Sequence, residues 1–157
     1  MAGIKGMDSL LRKLNKISDV AKSEIMEKAV KSGAKVVQAQ AKELAPVDTG
    51  ELRNSIKVKT NVENGKIQGI VYTNKEYAPY VEFGTGPVGE ANKPDLPPEV
   101  ASEITYKQEG WHTPRGYTQG QKPQPFLYPA LESSKDKVNK AVKNSIRKEI
   151  NKIARGG

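Results

Sequence analysis

Ala45-Pro46-Val47-Asp48-Thr49-Gly50-Glu51-Leu52-Arg53-Asn54-Ser55-Ile56 is where a long helical pattern stops and a strand pattern starts. Pro46 cannot continue a helix, because its ring fixes φ and it has no N–H to donate. Asp48 and Glu51 stand at capping-box spacing, and Val47 and Leu52 fit a hydrophobic staple around that cap. The expectation is a short second helix beginning at Asp48 and handed to a strand by Asn54-Ser55. Pro46, Val47, Asp48, Gly50, Glu51 and Leu52 thus form a structural corner. Asp48-Thr49-Gly50 is also the tripeptide of aspartic proteases, whose chemistry needs two such carboxylates sharing a proton. One copy in a polar helix-start setting favours the capping role.

Upstream of the corner, Asp8 or Ser9 can cap a short helix with Leu10, Leu11, Leu14 and Ile17 on one side. Ser18-Asp19 reads as a new cap. From there to Leu44, Met26, Val30, Gly33, Val37, Ala41 and Leu44 recur in steps of three and four, and lysines fall mostly off that stripe. Gly33 on the inner stripe implies close approach of another backbone, with the domain's own sheet as the expected neighbour.

Downstream, residues 56–73 read as a hairpin. Asn64-Gly65 suits a type I′ turn, which pairs Val62 with Ile67, Val58 with Val71 and Ile56 with Thr73. These residues share one face with Thr60 and Gly69. The other face holds Lys57, Lys59, Asn61, Gln68, Ile70 and Tyr72, solvated or open to a partner. Tyr77, Tyr80, Val81 and Phe83 are spaced for a short helix ended by Gly84. Residues 87–123 are rich in proline and glycine, with a strand-like piece at 102–107 and the single Trp111-His112. A loop this long in a small domain carries function or mobility. Pro125 to Glu132 then pins the chain back, and Pro129 lies in the first turn of a helix with Leu131, Val138, Val142, Ile146, Ile150 and Ile153 as its stripe.

The fold class that follows is α+β: a small antiparallel sheet with a β-hairpin, packed against a long helix in the N-terminal half and a C-terminal helix, with a long Pro/Gly-rich loop. The expected organisation is one domain over 1–157, comprising an N-terminal helix or arm (1–19), a helix-plus-hairpin core (20–86), an extended loop (87–124) and a C-terminal helix (125–157).

Composition narrows the function. Hydrophobic content of 36% and a mean hydropathy of −0.66 are lean for a compact monomer, which suggests stability drawn from contacts with other chains. Zero cysteines exclude disulfides and thiolate chemistry, and one histidine leaves no zinc set. No membrane-length apolar run and no signal peptide are visible, so the expected compartment is the cytoplasm. The net charge of +8 is concentrated late: between Lys135 and Arg155 eight Lys/Arg face only Asp136 and Glu149. Lys140, Lys143, Arg147 and Lys148 are the candidate DNA-facing residues, the alternative being the solvated face of an amphipathic helix. Tyr77, Tyr80, Phe83, Trp111, Phe126 and Tyr128 are candidate subunit-interface residues. No catalytic, cofactor or metal set is found, so no enzyme is expected.

The long helix, APVDTGELRNSI, YAPYVEFGTG and GWHTPRGYTQGQKPQPFLYPALE stand in one order, and together they resemble the neck or tail-completion proteins of long-tailed bacteriophages, also described as head–tail joining or minor tail components. The resemblance runs from about Ala21 to the end of the C-terminal helix, with residues 87–104 longer than the family's minimal pattern. It implies a non-enzymatic virion protein, made in the host cytoplasm, forming a homo-oligomeric ring of six or twelve copies. The implied partners are head-closure or connector proteins, tail-terminator or tail-tube proteins, and the passing genomic DNA, with no membrane. The competing class is a basic nucleic-acid-binding protein acting through the C-terminal helix.

Overall fold

The computed structural model describes residues 6–84 and 123–156. The expected strand-like piece at 102–107 and Trp111-His112 lie outside the described residues. In chain order the elements are α1 (Met7–Leu14), α2 (Asp19–Leu44), α3 (Glu51–Ser55), β1 (Lys57–Glu63), β2 (Lys66–Tyr72), α4 (Ala78–Phe83) and α5 (Leu127–Ala154). The fold is α+β, two long helices and a two-stranded antiparallel hairpin.

The two long helices run antiparallel. Ala41 near the end of α2 shares a core with Ala130 at the start of α5. Ile25 near the start of α2 shares a second core with Ile146 and Ile150 toward the end of α5, where α1 adds Leu10 and Leu14. Each long helix buries a row at four-residue steps: Ile25, Ala29, Gly33, Val37 and Ala41 on α2, and Ala130, Ser134, Ile146 and Ile150 on α5, with Val138 and Val142 half-buried between. Such rows form the ridges by which packed helices interdigitate. The α5 stripe therefore begins at Ala130 and Ser134, while the expected Leu131 and Ile153 are about half exposed, at 50% and 49%. A four-residue step advances slightly more than one turn, so the buried row drifts around the helix and leaves both expected ends outside.

Gly33 is a close-approach residue, but its neighbour is α5 and not the sheet. A Cβ there would stand 2.9 Å from Val142 Cγ2 and 3.0 Å from Val138 Cγ1. The sheet meets α2 through Gly69, where a Cβ would lie 2.9 Å from Ala34 Cβ and 3.2 Å from the Val30 carbonyl oxygen. Thr60 adds a hydrogen bond from its hydroxyl to Glu27 Oε1 at 2.6 Å. The hairpin register is the expected one, with Val58 opposite Val71 and Val62 opposite Ile67. The ladder stops at Lys57 and Tyr72, so Ile56 and Thr73 fall just beyond it. Asn64 and Gly65 take φ of 51° and 72°, as a type I′ turn requires. On the outward face the Lys59 ammonium sits 5.1 Å from the Tyr72 ring centroid.

Ser134 is fully buried in the α5 row, and its hydroxyl has no hydrogen-bond partner. A buried hydroxyl left unsatisfied costs stability, and alanine is the better helix former. Ser134→Ala is therefore expected to stabilise the protein by about 1 kcal/mol, measured by denaturant titration. A loss of stability would show that the hydroxyl has a partner.

Candidate assembly surface

The corner is built differently from its sequence expectation. Ala45 ends α2 in an extended conformation, φ −60° and ψ 128°, as the residue before a proline prefers. The next helix starts at Glu51, not at Asp48. Its N-cap is Gly50 at φ 78°, a left-handed conformation that glycine accepts without a Cβ penalty, and no side chain caps the helix. The Asp48–Glu51 capping box is thus absent. Glu51 N–H instead makes a long bond to Thr49 Oγ1 at 3.4 Å. With the cap at Gly50, Val47 and Leu52 no longer occupy staple positions; Val47 is exposed and Leu52 is buried.

Long-range bonds hold the corner instead. Ser55 donates to the Leu52 carbonyl at 2.7 Å, leaving Thr73 to donate to Ser55 across 2.6 Å. Lys75 N–H then donates to Thr73 Oγ1 at 3.2 Å. Gln38 Nε2 donates to the Ile56 carbonyl at 2.8 Å, tying α2 to the same junction. Lys75 Nζ reaches Glu51 at 3.0 Å, and this hydrogen bond raises the ammonium above its ordinary range. A raised lysine stays protonated through neutral pH and gives up its proton only under alkaline conditions.

A second junction was not foreseen. Glu82 on α4 is 4% exposed, and its carboxylate accepts from the backbone N–H groups of Phe126 (2.7 Å), Leu127 (2.9 Å) and Tyr128 (2.9 Å). These are donors that the first turn of α5 leaves without a helical acceptor, and the positive end of the helix dipole favours a carboxylate there. Phe126 at the N-cap has no side chain able to do this work. Gln124 N–H also donates to the Val81 carbonyl at 2.8 Å. The chain therefore leaves at Gly84 and returns at Pro123 through a closed neck. Replacing residues 85–122 with a short glycine–serine linker is expected to preserve cooperative unfolding and the helical circular-dichroism signal. A molten or insoluble product would contradict the neck as an independent fixture.

The candidate interface residues divide. Phe126 is fully buried among Leu52, Ile56, Ala78 and Ala130, so its ring serves this chain's own core and not a neighbour. Tyr77 is 41% exposed at the start of α4, and Tyr80 and Tyr128 are half-buried. Phe83 closes α4. Trp111 lies outside the described residues. On α5, Lys140, Lys143 and Arg147 follow each other at helical spacing along one side, with Lys140 and Arg147 exposed and Lys143 half-buried. Lys148 is also exposed and stands eight positions past Lys140, so the four basic residues follow the i, i+3, i+7, i+8 spacing of one broad helix face.

The described residues thus form a long-helix pair with a hairpin clamped on one helix, joined by a bonded corner and a carboxylate clasp. Residues 8–84 match the model of the family described as "Bacteriophage HK97-gp10, putative tail-component". Residues 8–84 are thus similar to that family, in line with the resemblance to tailed-phage neck and tail-completion proteins. No curated protein and no solved structure matches the chain. The match covers 77 of the 157 residues, just under half of the chain. Among the described residues, no helix is long and apolar enough to cross a membrane.

Proposed function

We propose that this protein sits in the phage neck, where its copies form a homo-oligomeric ring that completes the tail for attachment to the DNA-filled head. The observation that carries the reading is the tail-component match over residues 8–84, which takes in the corner, the hairpin and the helix bearing the Glu82 clasp. A lean composition supports it, as do large apolar side chains left outside the fold, including Val20 at 74% and Val47 at 57% exposure. We propose a single α+β domain as the ring subunit. Electron microscopy of lysates from the parent phage with this gene interrupted by a stop codon tests the role. DNA-filled heads beside separate tails of normal length are expected. Intact infectious particles would overturn it.

A second reading has its own observation, the basic side of α5 carrying Lys140, Lys143 and Arg147. In this reading the helix contacts the DNA that passes the neck. Binding of the purified protein to duplex DNA would fall steeply with salt, and Lys140→Glu with Arg147→Glu would weaken it uniformly across sequences. No binding at low salt would remove this reading.

A further inference from the structure

The large apolar side chains left exposed are not scattered. Leu11, Val20 and Ile153 (38%, 74% and 49%) lie where α1, the start of α2 and the end of α5 meet. Leu44, Val47, Tyr77 and Leu131 (41%, 57%, 41% and 50%) lie where the end of α2, the corner, α4 and the start of α5 meet. Only Val62, on the hairpin, falls outside these groups among the described residues. The two ends are the poles of the antiparallel helix pair, separated by roughly 40 Å, the length of a 26-residue helix.

The poles are opposite in charge. Over residues 6–22 and 150–156 the first pole carries six basic side chains against Asp8 and Asp19. Over residues 42–55, 75–84 and 127–136 the second carries seven carboxylates against four basic side chains; with the Lys75–Glu51 and Lys135–Glu132 pairs and the buried Glu82 set aside, Glu43, Asp48, Glu76 and Asp136 stand against Lys42 and Arg53. The chain's excess of positive charge makes the acidic pole stand out further. Two copies meeting through like poles would oppose like charges; two copies meeting through unlike poles would neutralise them around apolar centres.

We propose that copies of this chain associate pole to pole: the basic end of one, with Leu11, Val20 and Ile153, docks on the acidic end of the next, with Leu44, Val47 and Leu131. Such a contact is heterologous, so each subunit keeps one free pole after pairing and the series closes into a ring when the rotation allows. The inference rests on the ring reading for closure alone; the pole-to-pole contact stands on the surface of the subunit. An exposed electrostatic contact of this kind weakens as salt shortens the screening length to about 8 Å at physiological ionic strength.

The test uses full-length protein in sedimentation velocity, from low micromolar to millimolar concentration, at low and physiological salt. One variant carries Glu43→Lys and Asp48→Lys, and a second carries Lys16→Glu and Lys152→Glu, all at exposed positions. Wild type is expected to associate, more strongly at low salt, and each variant to associate at least tenfold more weakly with an unchanged thermal melt. An equimolar mixture of the two variants is expected to associate again, because each then presents an opposite pole to the other. All four substitutions in one chain are expected to restore association likewise. Association unaffected by either variant, or unrestored by mixing, would overturn the pole-to-pole contact while leaving a ring built through another face. Monomer at every concentration would also overturn it, including where the poles instead bind a different phage protein. The stop-codon phenotype would still judge the neck role separately.

Discussion

Glu82→Ala is expected to lower the unfolding free energy by about 3–5 kcal/mol, the largest loss from any single side-chain truncation outside the apolar core. The carboxylate accepts three backbone N–H groups at 2.7–2.9 Å, and the Phe126 donor is buried. Charge-assisted bonds of this kind are worth about 1.5–3 kcal/mol each and are not additive. Truncation leaves donors without an acceptor at the end of a 28-residue helix. Glu82→Gln keeps one acceptor oxygen in place and forfeits the charge, so roughly half of the loss is expected. Against a typical total stability of about 5–15 kcal/mol, the alanine variant approaches the threshold of folding. Urea titration followed by circular dichroism checks both. A loss below about 1 kcal/mol for alanine would show that water replaces the clasp without penalty.

Gly33→Leu is the second large effect. Even a Cβ at this position would press on Val142 and Val138 at 2.9 and 3.0 Å, and a longer side chain must move α5 away from α2. Overpacking of that kind costs about 1–3 kcal/mol, and the helix pair is the most extensive contact between elements among the described residues, so the upper end is expected. Gly33→Ala separates the two contributions. Alanine gains about 1 kcal/mol of helix propensity over glycine, and the contact with two β-branched side chains of restricted rotamer freedom opposes it. A near-neutral result is expected. Stabilisation by the full propensity difference would mean that the helices are not in contact at this crossing.

These two residues show what was legible in the sequence. Gly33 announced a close approach because glycine inside a strong helical stripe has no local justification; its partner was misjudged because periodicity describes one helix and not what packs on it. The hairpin was read down to its register, since Asn64-Gly65 and the period-two pattern act locally and agree. The corner was legible as a break at Pro46, but not in its bonding. Asp48 and Glu51 have the spacing of a cap, yet the cap falls on Gly50, and Glu51 finds Lys75, 24 positions along the chain. No local pattern encodes that pairing.

Glu82 was missed although a signal existed. It stands in a short helix that is otherwise apolar or aromatic, and the later long helix opens at Phe126-Leu127 with no Ser, Thr, Asp or Asn beside it. An orphaned helix start and a stray carboxylate are complementary, and their meeting across more than forty residues is a tertiary fact. Phe126 was misassigned for a related reason: bulky residues between prolines look like an anchor for a neighbour until the neck closes and buries the ring.

The proposed place of this protein in the particle is the junction of head and tail. Immunogold electron microscopy of purified intact virions carrying an epitope tag after Gly157 addresses it most directly. Label is expected at one position per particle, between the DNA-filled head and the tail. Label distributed along the tail or at its far tip, or particles free of label while the tagged protein remains in the lysate, would contradict it.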